Sequence, residues 1–247
     1  MRELTTTPAD VDAVAHVFVD ELAERCEIDG DDGHHLRQVR RLQVGELVTA
    51  ADGTGGWRGY EIVQTGRSRL VLDARGAPRH DDAPAVGVAL AIAPMKGGLD
   101  AVVAAVTELG ATRITPVRTE RTVVRWDANK AAQAVARLRT VAREAAMQSR
   151  RARIPEVEEL VELDAVAARD AVVVADRTGR RAFELEPPAL GAWTVVVGPE
   201  GGLAPAELER LAGTPRLALA TSVLRAGTAP IAAVAVLADR IAQMGRA

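Results

Sequence analysis

The chain has 247 residues, 48% of them apolar and 26% charged, with a formal net charge of −3, so it can bury a sizeable core as one large domain or two smaller ones. Aromatic residues make up only 2%, which predicts an aliphatic core and argues against a stacking platform for single strands. The single cysteine, Cys26, argues against a disulfide framework and against a Cys-rich zinc site.

Charge is unevenly spread. Residues 1–33 hold ten acids and two arginines, residues 34–80 hold eight arginines and four acids, and residues 113–153 hold eleven basic residues and three acids. Two basic segments in an acidic chain fit a polyanion met on one face; solvated helix faces are the competing reading. Arginine outnumbers lysine 29 to 2, which suits phosphate forks, although a coding bias produces the same excess. The opening M-R-E-L-T-T-T-P has no signal-peptide core, and the longest apolar run, Ile231 to Ala238, is too short to span a bilayer. The expectation is a soluble, cytoplasmic protein without a membrane or metal partner.

In H-H-L-R-Q-V-R-R, Arg37, Arg40 and Arg41 fall at helical spacing, with Leu36 and Val39 on the buried side. The adjacent His34 and His35 would point in different directions on a helix, which suits a surface better than a metal. G-E-L-V-T-A-A-D-G-T-G-G-W-R-G-Y-E-I-V predicts two strands joined by a glycine-rich hairpin, and S-R-L-V-L-D-A a third. Gly76 to Pro84 has the composition of a linker, which places domains at 1–76 and 84–247. Beyond it, A-V-G-V-A-L-A-I-A reads as a buried strand, L-D-A-V-V-A-A-V-T-E-L-G as a helix closed by Gly110, and R-I-T-P-V as a short strand. Asn129 to Arg151 reads as a long Ala-rich helix. A-V-V-V-A-D, W-T-V-V-V-G and R-L-A-L-A are further strands, with helices over Ala204 to Leu211 and Thr228 to Ala242. Strands alternating with helices predict an α/β domain with a mainly parallel sheet.

Two loops carry the candidate chemistry. V-V-V-G-P-E-G-G, Val195 to Gly202, runs from a strand into a glycine-rich turn before a helix with Pro205 in its first turn. Ligands of open α/β sheets bind at this edge. Glu200 would repel a phosphate, so the loop suits a ligand offering hydroxyls, a purine edge or a positive charge, unless it is simply a turn with an exposed glutamate. R-L-A-L-A-T-S-V-L-R-A-G-T-A-P, Arg216 to Pro230, is a second strand–loop–helix passage. Arg225 is its one charge between Leu217 and Asp239; if buried it must find an anion, a carbonyl or a substrate oxygen, or else a structural ion pair. G-T-G-G-W-R-G has the wrong spacing for a dinucleotide fingerprint, and motifs for nucleotide hydrolysis, serine hydrolysis and zinc chemistry do not occur.

These two loops, in this order, resemble those of the SPOUT methyltransferases, most closely the branch that methylates N3 of a uridine in bacterial 16S ribosomal RNA. Three further blocks agree: T-E-L-G-A-T-R-I-T-P-V-R-T-E-R (107–121), R-E-A-A-M-Q-S-R-R-A-R-I-P-E-V (143–157) and H-H-L-R-Q-V-R-R-L-Q-V-G-E (34–46). The resemblance implies a small amino-terminal PUA-like β-barrel that holds RNA, a carboxyl-terminal α/β domain tied in a trefoil knot, and a homodimer acting on the small ribosomal subunit. It implies S-adenosylmethionine held mostly by main chain at Val197, Gly198, Pro199, Glu200, Gly201 and Gly202, and at Leu217, Leu219, Ser222, Val223, Leu224 and Arg225. Catalytic roles fall on Arg225 first, toward uracil oxygens or the neighbouring phosphate, then on Arg121 with Glu120. No general base stands out. RNA contacts are expected from His34, Arg37, Arg40 and Arg41 and from some of Arg139, Arg143 and Arg150. The chain departs from the family pattern at Gly227 and Met147, where acids are usual. That leaves two alternatives, a catalytically silent RNA-binding assembly factor and a methyltransferase of another RNA.

Overall fold

Alanine- and valine-rich runs become buried strands only when both faces of a sheet are covered, and the second half of the chain does this. The computed structural model describes residues 7–244; residues 1–6 and 245–247, and with them most of M-R-E-L-T-T-T-P, lie outside the described residues. Two compact units are present. One comprises the described residues up to Ala83 with Ala146–Ile154; the other comprises Pro84–Ala145 and Pro155 onward.

The second unit carries β6 (Val86–Ile92), β7 (Arg113–Arg118), β8 (Glu156–Val157), β9 (Val161–Glu162), β10 (Val172–Arg180), β11 (Gly191–Val197) and β12 (Arg216–Leu217), numbered after the five strands of the first unit. Their order is β12-β10-β11-β6-β7-β8, with β9 also on β7, and the pairings are parallel. The expected R-L-A-L-A strand shrinks to two residues. Between the strands lie α2 (Leu99–Glu108), α3 (Ala128–Gln148), α4 (Leu163–Ala167), α5 (Pro205–Arg210) and α6 (Thr228–Met244). Gly110, at φ 96°, lets the chain leave α2 where a side chain would be strained. Val88, Leu90, Ile92, Val103, Val106, Val195 and Leu217 form one aliphatic core with Ala233, Val234 and Leu237 of α6. The short strands β8 and β9 and the one-turn α4 carry too little periodicity to be read from sequence.

In the first unit, β1 (Ala15–Phe18), β2 (Arg25–Ile28), β3 (Leu47–Ala51), β4 (Gly56–Thr65) and β5 (Leu70–His80) form a mixed sheet in the order β1-β3-β4-β5-β2. The hairpin between β3 and β4 is built on Asp52, whose Oδ1 accepts the amides of Thr54 (2.6 Å) and Gly56 (3.0 Å). The expected linker from Gly76 is partly strand instead, because His80 and Arg79 pair with Gly56 and Trp57. Helix α1 (Gly30–His34) continues as a wider helical turn over His35–Val39. Leu36 is buried as expected, while the side chain of Val39 lies outside the described residues.

The segment Ala146–Ile154 belongs to this unit, contrary to the expected split. Helix α3 stops at Gln148 rather than Arg151 because Arg150 turns left-handed at φ 55°, and its guanidinium donates to the carbonyls of Val11 (3.1 Å) and Ala13 (2.5 Å). Ala146 and Ala152 pack with Phe18, Ala51 and Trp57, and Met147 packs against that cluster. His16, 4% exposed, ties the segment to the sheet: one ring nitrogen meets the Arg151 carbonyl at 3.1 Å and the other the Thr49 hydroxyl at 2.8 Å. Since a carbonyl only accepts, Nε2 carries the proton and Nδ1 accepts from Thr49.

Burial pushes the His16 pKa down to about 4; the Arg151 carbonyl opposes the shift and the Arg150 charge adds to it. Between pH ~6.5 and ~4 the unfolded chain therefore binds a proton that the folded chain refuses. The stability from this site is complete above pH ~6.5 and falls by on the order of 3 kcal/mol as the pH drops toward 4. Unfolding midpoints measured from pH 7.5 to 4 should fall less steeply for His16→Gln than for the wild type; parallel curves would contradict this account of His16.

Candidate functional site

Strands β10, β11 and β12 end at the same edge of the parallel sheet, and the loops that leave them enclose a cleft. Val195, Val196 and Val197 are buried to within 5% of full exclusion, so the chain emerges at Gly198 from a fixed strand. A Cβ on Gly198 would lie 3.2 Å from the Leu203 side chain and 3.3 Å from its amide, a tight fit that Leu203 would have to yield to by a few tenths of an ångström. The Gly202 amide donates to the Pro199 carbonyl (2.8 Å), and Gly202 takes φ 69°. Pro205 then opens α5.

Two side chains fasten this turn to the T-E-R loop after β7. Glu207, 3% exposed, accepts the amide of Ala204 (2.7 Å) on one carboxylate oxygen and that of Glu120 (2.8 Å) on the other. Arg121 reaches the other way, its Nη1 donating to the carbonyls of Gly201 (3.0 Å) and Leu203 (3.4 Å). The Thr119 and Thr122 hydroxyls bond each other at 2.6 Å inside the same loop.

The other wall comes from β10 and β12. Leu217 pairs with Ala175 and again with Arg180, so residues 176–179 arch over the main chain at Arg216–Leu217. An added Cβ on Gly179 would sit 2.4 Å from the Arg216 carbonyl carbon, a position only glycine can occupy. Asp176 fixes the arch, accepting from the Thr178 amide and hydroxyl (both 2.8 Å) and from Arg216 (2.5 Å). The Thr178 amide, more than any other partner, holds its carboxyl below the usual aspartate range.

The cleft has a volume of about 390 Å³. It brings together Val197, Gly198, Pro199, Glu200, Gly201, Gly202, Leu217, Leu219, Ser222, Val223 and Leu224, with Arg121. Val174, Ala175, Asp176 and Arg177 complete it and were not singled out from sequence, although V-V-V-A-D-R is another strand ending in a charged turn at the same rim. Its lining mixes two carboxylates, Asp176 and Glu200, with two guanidiniums, Arg121 and Arg177.

Arg225 does not line the cleft. It is exposed, and only its carbonyl is engaged, accepting the amides of Thr228 (2.9 Å) and Ala229 (3.0 Å) at the start of α6. Among the described residues its guanidinium has no hydrogen-bond or ion-pair partner, so the burial that would have forced a partner does not occur. Glu120 is exposed and lines a neighbouring cleft; its amide, rather than its carboxylate, is what Glu207 holds. An added Cβ on Gly227 meets open space.

The residues expected at RNA divide between the two units, Arg139 and Arg143 in the second and the others in the first. His34 is exposed at the end of α1. Arg37 donates to the carbonyls of Gly66 (3.1 Å) and Leu42, and Arg40 to that of Val14 (2.5 Å). Arg41, at φ 56°, has left the helical turn, so the three do not form one helix face. Arg139 holds the Val157 carbonyl (3.0 Å) and Glu159 (2.8 Å), Arg143 is half-buried, and Arg150 holds the carbonyls of Val11 and Ala13. Among the described residues there is no group of three His, Cys, Asp or Glu placed to hold a metal, and no helix is long and apolar enough to cross a membrane.

The sequence model of an RNA methyltransferase domain matches residues 82–238, the segment that builds the cleft. The chain belongs to this RNA methyltransferase family. A second model, the RNA methyltransferase PUA domain, matches residues 28–74. Ribosomal RNA small subunit methyltransferase E of Mycobacterium bovis is 35% identical over 230 residues, covering 86% of this chain and 87% of that protein. The Bacillus subtilis protein of the same name is 29% identical, covering 88% and 91%. The crystal structure of ribosomal RNA small subunit methyltransferase E from Neisseria gonorrhoeae bound to S-adenosyl methionine is 24% identical, with a TM-score of 0.75 over 90% of this chain and 95% of that one. It shares the fold of this RNA methyltransferase family member.

Glu207 should be the most sensitive side chain behind the cleft. Glu207→Ala strands one buried amide donor, that of Ala204, at a cost of about 1–3 kcal/mol, and a part-buried one, that of Glu120, at the lower end of that range. Glu207→Gln keeps one acceptor oxygen and should lose about half as much. Chemical unfolding of both variants checks this; an alanine variant as stable as the wild type would contradict the cross-tie.

Proposed function

We propose that the protein is an S-adenosylmethionine-dependent methyltransferase that modifies N3 of a uridine in 16S ribosomal RNA. The observation that carries the reading is the main-chain-lined cleft at the rim of the parallel sheet, in a chain belonging to an RNA methyltransferase family. The names of its relatives, which act on small-subunit ribosomal RNA, support the substrate.

The cleft fits the cofactor by size and by donor chemistry. Where Gly198 and Gly202 lie, a flat nucleoside can approach peptide groups without meeting a Cβ. Asp176 and Glu200 offer acceptors for hydroxyls and a favourable field for a sulfonium, and neither favours a phosphate. When bound, S-adenosylmethionine supplies an electrophilic methyl group. The remaining work falls to this chain's residues: they orient the uracil and stabilise the negative charge left when N3 gives up its proton. Arg121 takes that role in this reading, supported by its position on the cleft wall and its two carbonyl contacts. Arg225, exposed and without a side-chain partner among the described residues, serves the RNA backbone.

The first unit holds RNA as a PUA-like barrel in this reading. The arch of residues 176–179 over Arg216–Leu217 supports a trefoil knot, since one strand is gripped on two sides by the same neighbour. The protein acts as a cytoplasmic homodimer. Val223, 87% exposed at the cleft, is suited to burial by a second subunit. Met147 has a packing role that accounts for an apolar residue there, which weakens the case for a catalytically silent assembly factor.

Titration calorimetry should detect saturable S-adenosylmethionine binding by the wild type. Arg225→Ala should lower methyl transfer to small ribosomal subunits at least tenfold while changing cofactor affinity less than about twofold, as for a group that contacts only the RNA. Absence of cofactor binding would overturn the enzyme reading, and equal loss of both would move Arg225 to the cofactor. Survival of every uridine-N3 methyl mark in ribosomal RNA from a deletion strain would overturn the substrate.

A further inference from the structure

The T-E-R loop that closes the cofactor cleft leads directly into a second feature. Two further clefts, of about 430 and 600 Å³, lie on either side of Val124–Trp126, and both are lined by Val124, Arg125 and Trp126. The first is also lined by Glu120 and Thr122, the immediate neighbours of Arg121, so it adjoins the cofactor cleft through consecutive residues. Of the three tryptophans, Trp57 and Trp193 are 1% and 2% exposed, whereas Trp126 is partly exposed. It packs in part against the core, and its carbonyl accepts from Arg118 (3.3 Å), so the ring is anchored rather than loose. Composition argues against a stacking platform; a single anchored ring is enough for one base. Beside it, Arg125 is exposed and, among the described residues, has neither a hydrogen bond nor a carboxylate partner. The other cations here, Arg118 with Glu162, Arg210 with Asp164, Lys130 with Asp127 and Arg137 with Asp100, sit in exposed ion pairs, which are weak enough to be exchanged for a phosphate.

We infer that Trp126 and Arg125 form a subsite for a nucleotide flanking the modified base, the ring stacking on its nucleobase and the guanidinium meeting its phosphate. The inference rests on the proposed function, because an RNA strand presenting one base to the cofactor cleft must lead its neighbours away over the adjoining surface. A base can stack on Trp126 whatever its identity, so the subsite holds the strand in place without reading sequence. A protein segment in the same clefts is the competing occupant.

The experiment is methyl transfer from S-adenosylmethionine to small ribosomal subunits by Trp126→Ala, Trp126→Phe and Arg125→Ala, with cofactor affinity measured in parallel. Trp126→Ala should raise KM for the subunit roughly tenfold, the scale of one stacked base, with kcat and cofactor affinity within about twofold of wild type. Trp126→Phe should restore KM to within about threefold, and Arg125→Ala, an exposed change that leaves packing intact, should raise it about fivefold. Titration with a ten-nucleotide oligouridylate should quench wild-type tryptophan emission, and the quench should vanish in Trp126→Phe because the other two indoles are buried. Unchanged KM in Trp126→Ala and Arg125→Ala, or a quench that persists in Trp126→Phe, would overturn the subsite and leave the enzyme reading intact. Wild-type protein that binds no cofactor and transfers no methyl group would overturn both.

Discussion

The cleft depends on one steric constraint, the passage of Arg216–Leu217 beneath the arch of residues 176–179. Leu217 is fully buried and paired on both sides of that arch, and Gly179 has no space for a single methyl group against the Arg216 main chain. Such packing fixes where β12 ends, and so where the loop from Leu219 to Leu224 begins. The G-P-E-G-G turn faces it from β11, on the far side of β10, already closed by its own glycines. Two loops with little regular structure are thereby held in register, one by a strand they share and the other by a carboxylate and a guanidinium behind them. The binding surface is rigid because of what its backbone cannot do, rather than because of strong side-chain contacts across it.

Electrostatics divides the labour. Glu207 from inside the protein and Arg121 from the cleft wall act on peptide groups, each joining the T-E-R loop to the turn after β11. Asp176 does the same for the arch. Arg121 and Asp176 order main chain and line the cleft at the same time, so a ligand meets two carboxylates, two guanidiniums and many peptide groups. That composition suits a nucleoside carrying hydroxyls and a positive centre more than one carrying phosphates. The arginines of the first unit follow a similar rule. Arg37, Arg40 and Arg150 stop short stretches of irregular backbone from being left unsatisfied, a use that local charge counts cannot distinguish from RNA binding.

The sequence was legible where periodicity or backbone chemistry dominates. The buried strands of the parallel sheet, the Gly110 stop and the glycine-rich turn are local consequences of residue type, and all but Arg225 of the residues expected around the cofactor line one cleft. Asp176 and Arg177 were not, because their place at the rim comes from the pairing of both Ala175 and Arg180 with Leu217, some forty residues away. Nor was the membership of Ala146–Ile154 in the first unit, which is decided by His16, Thr49 and Phe18 more than a hundred residues earlier. Gly76 to Pro84 looked like a linker because glycine, proline and charge also suit the edge of a long hairpin. The apolar neighbours of Arg225 left its burial open, and it is exposed together with Ser222 and Val223 beside it.

The central claim is that peptide groups of residues 197–203 and 217–224 enclose a sulfonium nucleoside, and the most direct measurement is a crystal structure of the protein grown with S-adenosylmethionine. The account predicts continuous density for the ligand in this cleft, its base and ribose against main-chain atoms and glycines of both loops. Ligand bound elsewhere, with these two loops packed together and no space between them, would contradict it.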